Sequence, residues 1–332
     1  MDTQFLHKRL FFWCTGMAFS MLFLAGCQKE RDVFVPFGKT TDALRELLTS
    51  FVTDPAHTTT LEFDGSNKQV LLTTPRGIQI SITDATDFFA DENGQPVNAS
   101  SSKKITLTAT DVFEKKEMTG LGTVSQADFG DALETVGLVK FEAFLDGKAL
   151  KLVAGKEFEV HIPVGSAGYR IDVHSYNGGW SNSATESKFR WSLLEDFPAP
   201  SIQLVPDGIT YYQMSVDKMG WLAGNRVLPN ATAPIYVKLD NAFSLTNTLA
   251  FFVLKGKKSV FPLKFDLNSN VFLNENVPVG ESGMLFCASK IGDQLYLGTK
   301  DVVIENNQPL DVAVLMNGTN EAALKLALED LK

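Results

Sequence analysis

Residues 105–110 read ITLTAT, and their alternation decides the fold. Ile105, Leu107 and Ala109 fall on one side of an extended chain, and Thr106, Thr108 and Thr110 fall on the other. A period of two marks an antiparallel strand with one face in a core. The same beat recurs outward from it. Residues 77–82 (GIQISI) set Ile78, Ile80 and Ile82 against Gln79 and Ser81, and 138–145 (LVKFEAFL) and 157–162 (EFEVHI) alternate again. Turn signals separate the runs: Asp64-Gly65, Glu92-Asn93-Gly94, Asp146-Gly147 and Ala154-Gly155. Many short strands at such spacing mean a sandwich or barrel, and no long helical pattern alternates with them as a βαβ nucleotide fold would need. The expected class is all-β, with two antiparallel β-sandwich-like domains, a short N-terminal helix and a C-terminal helix.

Residues 41–52 carry the helix that precedes the strands. Leu44, Leu47, Leu48 and Phe51 fall at i, i+3, i+4 and i+7, with Thr41 or Asp42 as cap and Pro55 beyond the end. The closing helix starts at the cap Asn320 and aligns Leu324, Leu328 and Leu331. Between 165 and 216 the pattern is less regular and is punctuated by Pro198, Pro200 and Pro206; strands resume after Met219. The expected organisation is 1–26 signal peptide, 27–54 tether and helix, 55–165 N-terminal sandwich, 166–216 connecting β segment and 217–332 C-terminal β-domain.

The N-terminus says where the chain goes. His7, Lys8 and Arg9 precede an apolar run over 10–25, which is the layout of a secretory signal and is short for a spanning helix. The run ends in Leu24-Ala25-Gly26-Cys27, which resembles the bacterial lipobox. That resemblance implies a diacylglyceryl group on the Cys27 thiol, palmitate-type acylation and cleavage just before it. Gln28 rather than Asp follows the cysteine, which favours outer-membrane delivery. Residues 28–32 (QKERD) look like the charged export signal of surface lipoproteins in Bacteroidetes-type bacteria, or else form a solvated linker. The expected location is the outer membrane, on its cell-surface or periplasmic face.

Composition excludes some partners. Loss of residues 1–26 removes Asp2, Lys8 and Arg9, which leaves 306 residues with 28 basic and 38 acidic side chains, a net charge of −10. No Lys/Arg stripe stands out, so nucleic acid is not an expected partner. An acidic surface leaves the acyl chain on Cys27 as the membrane link. Cys14 lies in the signal, so Cys287 is the one remaining thiol; it sits in the apolar run SGMLFCASK and reads as a packed hydrophobe without a disulfide partner.

Motifs for chemistry are sparse. His57, His161 and His174 lack the spacing of a zinc site, and no nucleophile elbow or phosphate-binding Gly-Lys-Ser/Thr loop is present. No metal and no cofactor is expected. His161 and His174 are expected on exposed strand faces. Asp84, Asp87, Asp91 and Glu92 read as a solvated acidic turn rather than a calcium loop. Asp131 and Glu134 are a candidate carboxylate pair. Tyr176, Trp180, Trp191, Tyr211, Tyr212 and Trp221 gather near the expected domain junction. Such rings stack sugars or anchor a protein partner when exposed, and pack a core when not.

Two stretches carry a resemblance. From 77 to 163 the order is alternating Ile, then FFADENGQPV (88–97), ITL (105–107), Glu117-Met118, LETVG (133–137) and DGKAL (146–150). It resembles an N-terminal β-domain of uncharacterised Bacteroidetes lipoproteins, itself similar to the β-sandwich domain shared by zonula-occludens, netrin-receptor and ankyrin proteins. Val136 stands where that family has the first of two glycines. Residues 219–226 (MGWLAGNR) resemble the Leu-Gly-Trp-Ile-Asn-x-Asp-Arg run opening the C-terminal β-domain of the same lipoproteins, with Ala223 for Asn and Asn225 for Asp. The eukaryotic relatives are interaction and scaffold modules, and no self-cleavage site matches. The functional expectation is a lipid-anchored envelope binding or scaffold protein without enzymatic activity, with a glycan or envelope protein as partner. The alternatives are an envelope enzyme acting on glycans through carboxylates assembled in the fold, and a structural subunit of an adhesive or assembly system.

Overall fold

A computed structural model describes residues 40–331 apart from 166–167, 183–186, 195–199, 205–207 and 209, and the counts below refer to the described residues. About 51% of the described residues are strand and 11% helix, so the all-β expectation holds. The signal run, Cys27 and the export stretch 28–32 lie outside the described residues.

The expected helix forms as α1 (Thr40–Val52). Its Leu44 and Leu48 are fully buried. A short 3₁₀ turn at Pro55–His57, capped by Asp54, leads into the first sandwich. One layer is a seven-stranded sheet in the order β1 (Thr58–Phe63), β6 (Ile105–Val112), β7 (Leu133–Leu145), β15 (Gly220–Val227), β11 (His174–Asn182) and β12 (Ser187–Leu193), with β8 (Lys148–Ala149) on β7. The other is a five-stranded sheet in the order β13 (Ser201–Leu204), β14 (Thr210–Val216), β10 (Phe158–Pro163), β3 (Gln79–Ile82) and β2 (Val70–Thr73). A small sheet of β5 (Pro96–Val97), β4 (Phe89–Ala90) and β9 (Lys151–Leu152) closes one side. The alternation read in ITLTAT acts as anticipated: Ile105, Leu107 and Ala109 face Ile80, Val160 and Met214 of the opposite layer in one apolar core.

The strand pairing divides the chain elsewhere than the sequence suggests. The stretch expected to connect two domains supplies β11 and β12 to one layer and β13 and β14 to the other, and β15 pairs directly with β7. The sandwich therefore runs from residue 58 to 227. The physical reason lies in β15, which is apolar on both faces: Leu222 fills the sandwich core, and Ala223 faces the layer behind it.

The C-terminal strands form one eight-stranded sheet, β22-β16-β19-β18-β17-β20-β21-β23. Their ranges are β16 (Thr232–Lys238), β17 (Thr248–Leu254), β18 (Val260–Asp266), β19 (Val271–Pro278), β20 (Ser282–Ile291), β21 (Gln294–Val303), β22 (Leu310–Ala313) and β23 (Asn317–Thr319). Residues 310–319 touch both ends of it. β22 pairs in parallel with β16, and β23 pairs antiparallel with β21. The sheet so closes on itself around Ile235, Phe252, Phe261, Leu285 and Cys287.

A third apolar layer joins the two β bodies. The outer side of the seven-stranded sheet gives Leu138, Tyr176, Trp191 and Ala223; the barrel's outer side gives Phe251, Val253, Phe286 and Ala288. α1, a short α2 (Lys115–Leu121) and the closing α3 (Glu321–Glu329) pack into the same layer through Leu48, Met118 and Leu324. β17 and β20 are thus buried on both faces, which explains their unbroken apolar runs. Lys39–Lys332 form one compact unit.

Candidate functional site

The six aromatic residues divide between two places. Trp191 is fully buried on β12, and its indole N–H donates to the Val124 carbonyl at 2.6 Å. Phe189, two residues earlier, meets Trp191, Trp180 and Trp221 edge-on with ring centres 5.0, 5.4 and 6.3 Å away. Tyr176 is buried in the same layer, while Trp180 keeps 36% of its surface and lies under the Arg45 guanidinium, 4.6 Å from the ring centre. Burial of Arg45 lowers its pKa against the raising effect of Asp42. Tyr211 and Tyr212 sit on β14 of the opposite layer. Tyr212 points into the sandwich core, stacks on Tyr169 at 5.3 Å and accepts from the Arg170 backbone N–H; Tyr211 faces outward beside His161. The fold gathers four of the six and separates the other two by the thickness of a sandwich.

The histidines and acids resolve as follows. His174 is exposed, as expected. His161 is only 7% exposed, which corrects the expectation for it, because Gln79 and Gln213 stand beside it in register and the Tyr211 ring lies 6.2 Å away. Asp84 and Asp91 accept backbone N–H groups of their own turns. Burial pushes the Cys287 thiol up to about 12. Among the described residues no three His, Cys, Asp or Glu side chains are placed to hold a metal ion.

The main gathering of charge escaped the sequence reading. Arg76 reaches from a turn of the five-stranded sheet to Asp111 on β6: Nε donates to Oδ1 at 2.6 Å, the backbone N–H to Oδ2 at 3.1 Å, and Nη2 to the Asp111 carbonyl at 2.7 Å. Its Nη1 donates to Glu117 of α2 at 2.8 Å. Glu117 is 2% exposed and also accepts from the backbone of Phe113 and Glu114, which caps α2, while His57 approaches it at 3.2 Å. Burial alone would lower the Arg76 pKa; Glu117 and then Asp111 more than offset it and raise it. Arg76 and Lys258 both lie over the Phe113 ring, 5.2 and 5.5 Å from its centre. Beyond Lys258, Glu134 holds Arg226 at 2.5 Å, and Arg226 meets Asp172 at 3.4 Å. Glu134 is therefore tied to Arg226 rather than paired with Asp131.

The chain of charges has a mechanical consequence. Asp111, Glu117 and Glu134 each have a cation bound to them, and the links join both sandwich layers and α2. Lys115 adds to it, since its ammonium donates to the Leu254 and Lys255 carbonyls at 2.5 and 3.0 Å, and burial lowers its pKa. Main-chain bonds run beside it: the Thr135 N–H donates to the Lys258 carbonyl, and the Ser125 N–H to that of Val260. A residue such as Glu117, four positions from Phe113 but 41 from Arg76, gives no local signal of this role. No protein-family model and no curated protein matches the chain.

Proposed function

We propose that the chain is a lipid-anchored binding or scaffold protein of the cell envelope, held to the outer membrane through acylated Cys27. The observation that carries this is the junction at 22–32, where an apolar run ends in Leu-Ala-Gly-Cys and charge begins at once. The likeness of residues 77–163 and 219–226 to lipoprotein β-domains supports it. So does the use the fold makes of its buried carboxylates, which fasten elements together. No described helix is long and apolar enough to cross a membrane. The role is to present a rigid β body at the membrane, with binding on strand faces and loops.

The anchor is tested by growing a bacterium that expresses the chain on an alkyne analogue of palmitate. The mature chain takes up the label and fractionates with the outer membrane; Cys27→Ser takes up none and is lost from the outer-membrane fraction. Label retained by Cys27→Ser would overturn the assignment. Protease treatment of intact against lysed cells then assigns the membrane face.

A further inference from the structure

We propose that the outer face of the five-stranded sheet is a platform for a neutral, hydroxyl-rich glycan. This rests on the binding reading above and names its ligand class. The register of β2, β3, β10, β14 and β13 sets Thr73, Gln79, His161, Gln213 and Ser201 in one row across all five strands. Two residues along, Leu71, Ser81, Glu159 and Ser215 form a second row on the same face. Strands lie about 4.8 Å apart, so each row is a track about 15–20 Å long.

Charge is depleted on this track. Glu159 is the one carboxylate of these two rows: Gln213 Nε2 donates to one oxygen at 2.9 Å, and His161 Nε2 lies 3.2 Å from the other. The surface elsewhere carries Lys–carboxylate pairs on or beside strands, as in Lys140–Glu142, Lys104–Glu62 and Lys255–Asp301. A surface with few charges and many amides and hydroxyls neither attracts nor repels ions, which suits a neutral ligand over an acidic or basic one.

The chemistry of the row fits sugar hydroxyls. A planar amide or carboxylate offers a donor and acceptor, or two acceptors, at the spacing of neighbouring hydroxyl groups. Gln79 donates to the Tyr211 hydroxyl at 3.5 Å, and Gln213 to Glu159, so both amides are oriented before a ligand arrives. Their carbonyl oxygens and the Ser81 and Ser215 hydroxyls have no partner among the described residues and stand half exposed. Leu71, 63% exposed at the end of the second row, offers an apolar contact for the C–H face of a ring.

The test is native gel electrophoresis of the mature chain carrying Cys27→Ser, run through gels containing a mannan, a β-glucan, a xylan or the acidic polymer alginate. At least one neutral polymer slows the protein. Gln79→Ala/Gln213→Ala weakens that retardation at least tenfold while Tm stays within a few degrees, and Lys140→Ala leaves it unchanged. Ser215→Trp, which adds bulk without removing a bond, gives the same loss and covers the case in which the double variant unfolds. No retardation by any neutral polymer, retardation by alginate alone, or retardation indifferent to all three face substitutions would overturn the proposal. Because the acylated cysteine is absent, failure of the lipid assignment leaves this experiment untouched.

Discussion

Arg76 shows how one residue ties distant parts of the chain together. Both oxygens of Asp111 accept from it, one from Nε and one from the backbone N–H. In Asp111→Asn the amide must point its NH2 at one of those two donors, whichever way it is turned. The variant also leaves Arg76, 23% exposed, with half its counter-charge. Breaking a buried pair in this way costs about 3 kcal/mol, so the urea unfolding free energy of Asp111→Asn should fall by that amount, read as a lower midpoint at unchanged m. An unchanged midpoint would mean the network adds nothing. Cys287 is the matching case for pH. Its thiol is raised from 9.0 to about 12 by burial, so the folded chain keeps a proton that the unfolded chain releases. The stability this gives is complete below pH 9 and is lost as pH climbs toward 12, by about 1.4 kcal/mol per unit. Cys287→Ala should therefore show a shallower alkaline decline between pH 10 and 11, and the mature chain carrying Cys27→Ser, which lacks Cys14, should react with a disulfide reagent only after unfolding.

At the scale of elements, α1 and α2 depend on a glycine. A Cβ on Gly120 would stand 2.6 and 2.8 Å from the Val52 methyls and 2.9 Å from the Leu48 carbonyl. The Thr49 hydroxyl bond to the Gly120 carbonyl fixes the same approach. Gly120→Ala should cost about 1–3 kcal/mol in thermal or urea unfolding, and Val52→Ala in that background should recover part of the loss, because it removes the methyls and not the carbonyl. Simple additivity of the two would show that the helices do not meet as described. α2 also shows what a sequence withholds. Its seven residues bury Lys115, Glu117 and Thr119, so no apolar stripe announces a helix; tertiary bonds to Arg76 and Leu254 make it one. ITLTAT was legible because its alternation is local. β15 was not: it read as the opening of the C-terminal domain, because nothing local shows that its partner is β7. The charge network was illegible for the same reason, its partners lying 35, 41 and 92 residues apart. The outer row of the five-stranded sheet was half visible: the polar positions of GIQISI and EFEVHI could be read, but not that three distant strands align them.

For the whole molecule the question is whether sandwich and barrel are two bodies or one. Their junction is a shared core: Trp191 and Tyr176 from one side, Phe251 and Phe286 from the other, with Leu48 of α1 and Leu324 of α3 between. Main-chain bonds cross it, and the charge chain runs alongside. Separation would bare both sets of rings to water at roughly 25 cal/mol per Å² of apolar surface, a cost that neither body offsets alone. The chain should therefore unfold in a single transition, with the calorimetric enthalpy equal to the van't Hoff enthalpy. α3 gives the sharper test, since it closes the core from the end of the chain. A chain stopped at residue 319 keeps β23 and the barrel seam but uncovers the layer that Leu324, Leu328 and Leu331 seal. That truncation should bind a hydrophobic dye such as ANS in the native range and should split the single transition into two, because the joint is weakened while the two β cores remain. A truncated chain that still melts in one step without dye binding would show that the bodies are welded by the main-chain and ionic links, and that the apolar layer contributes little to their union.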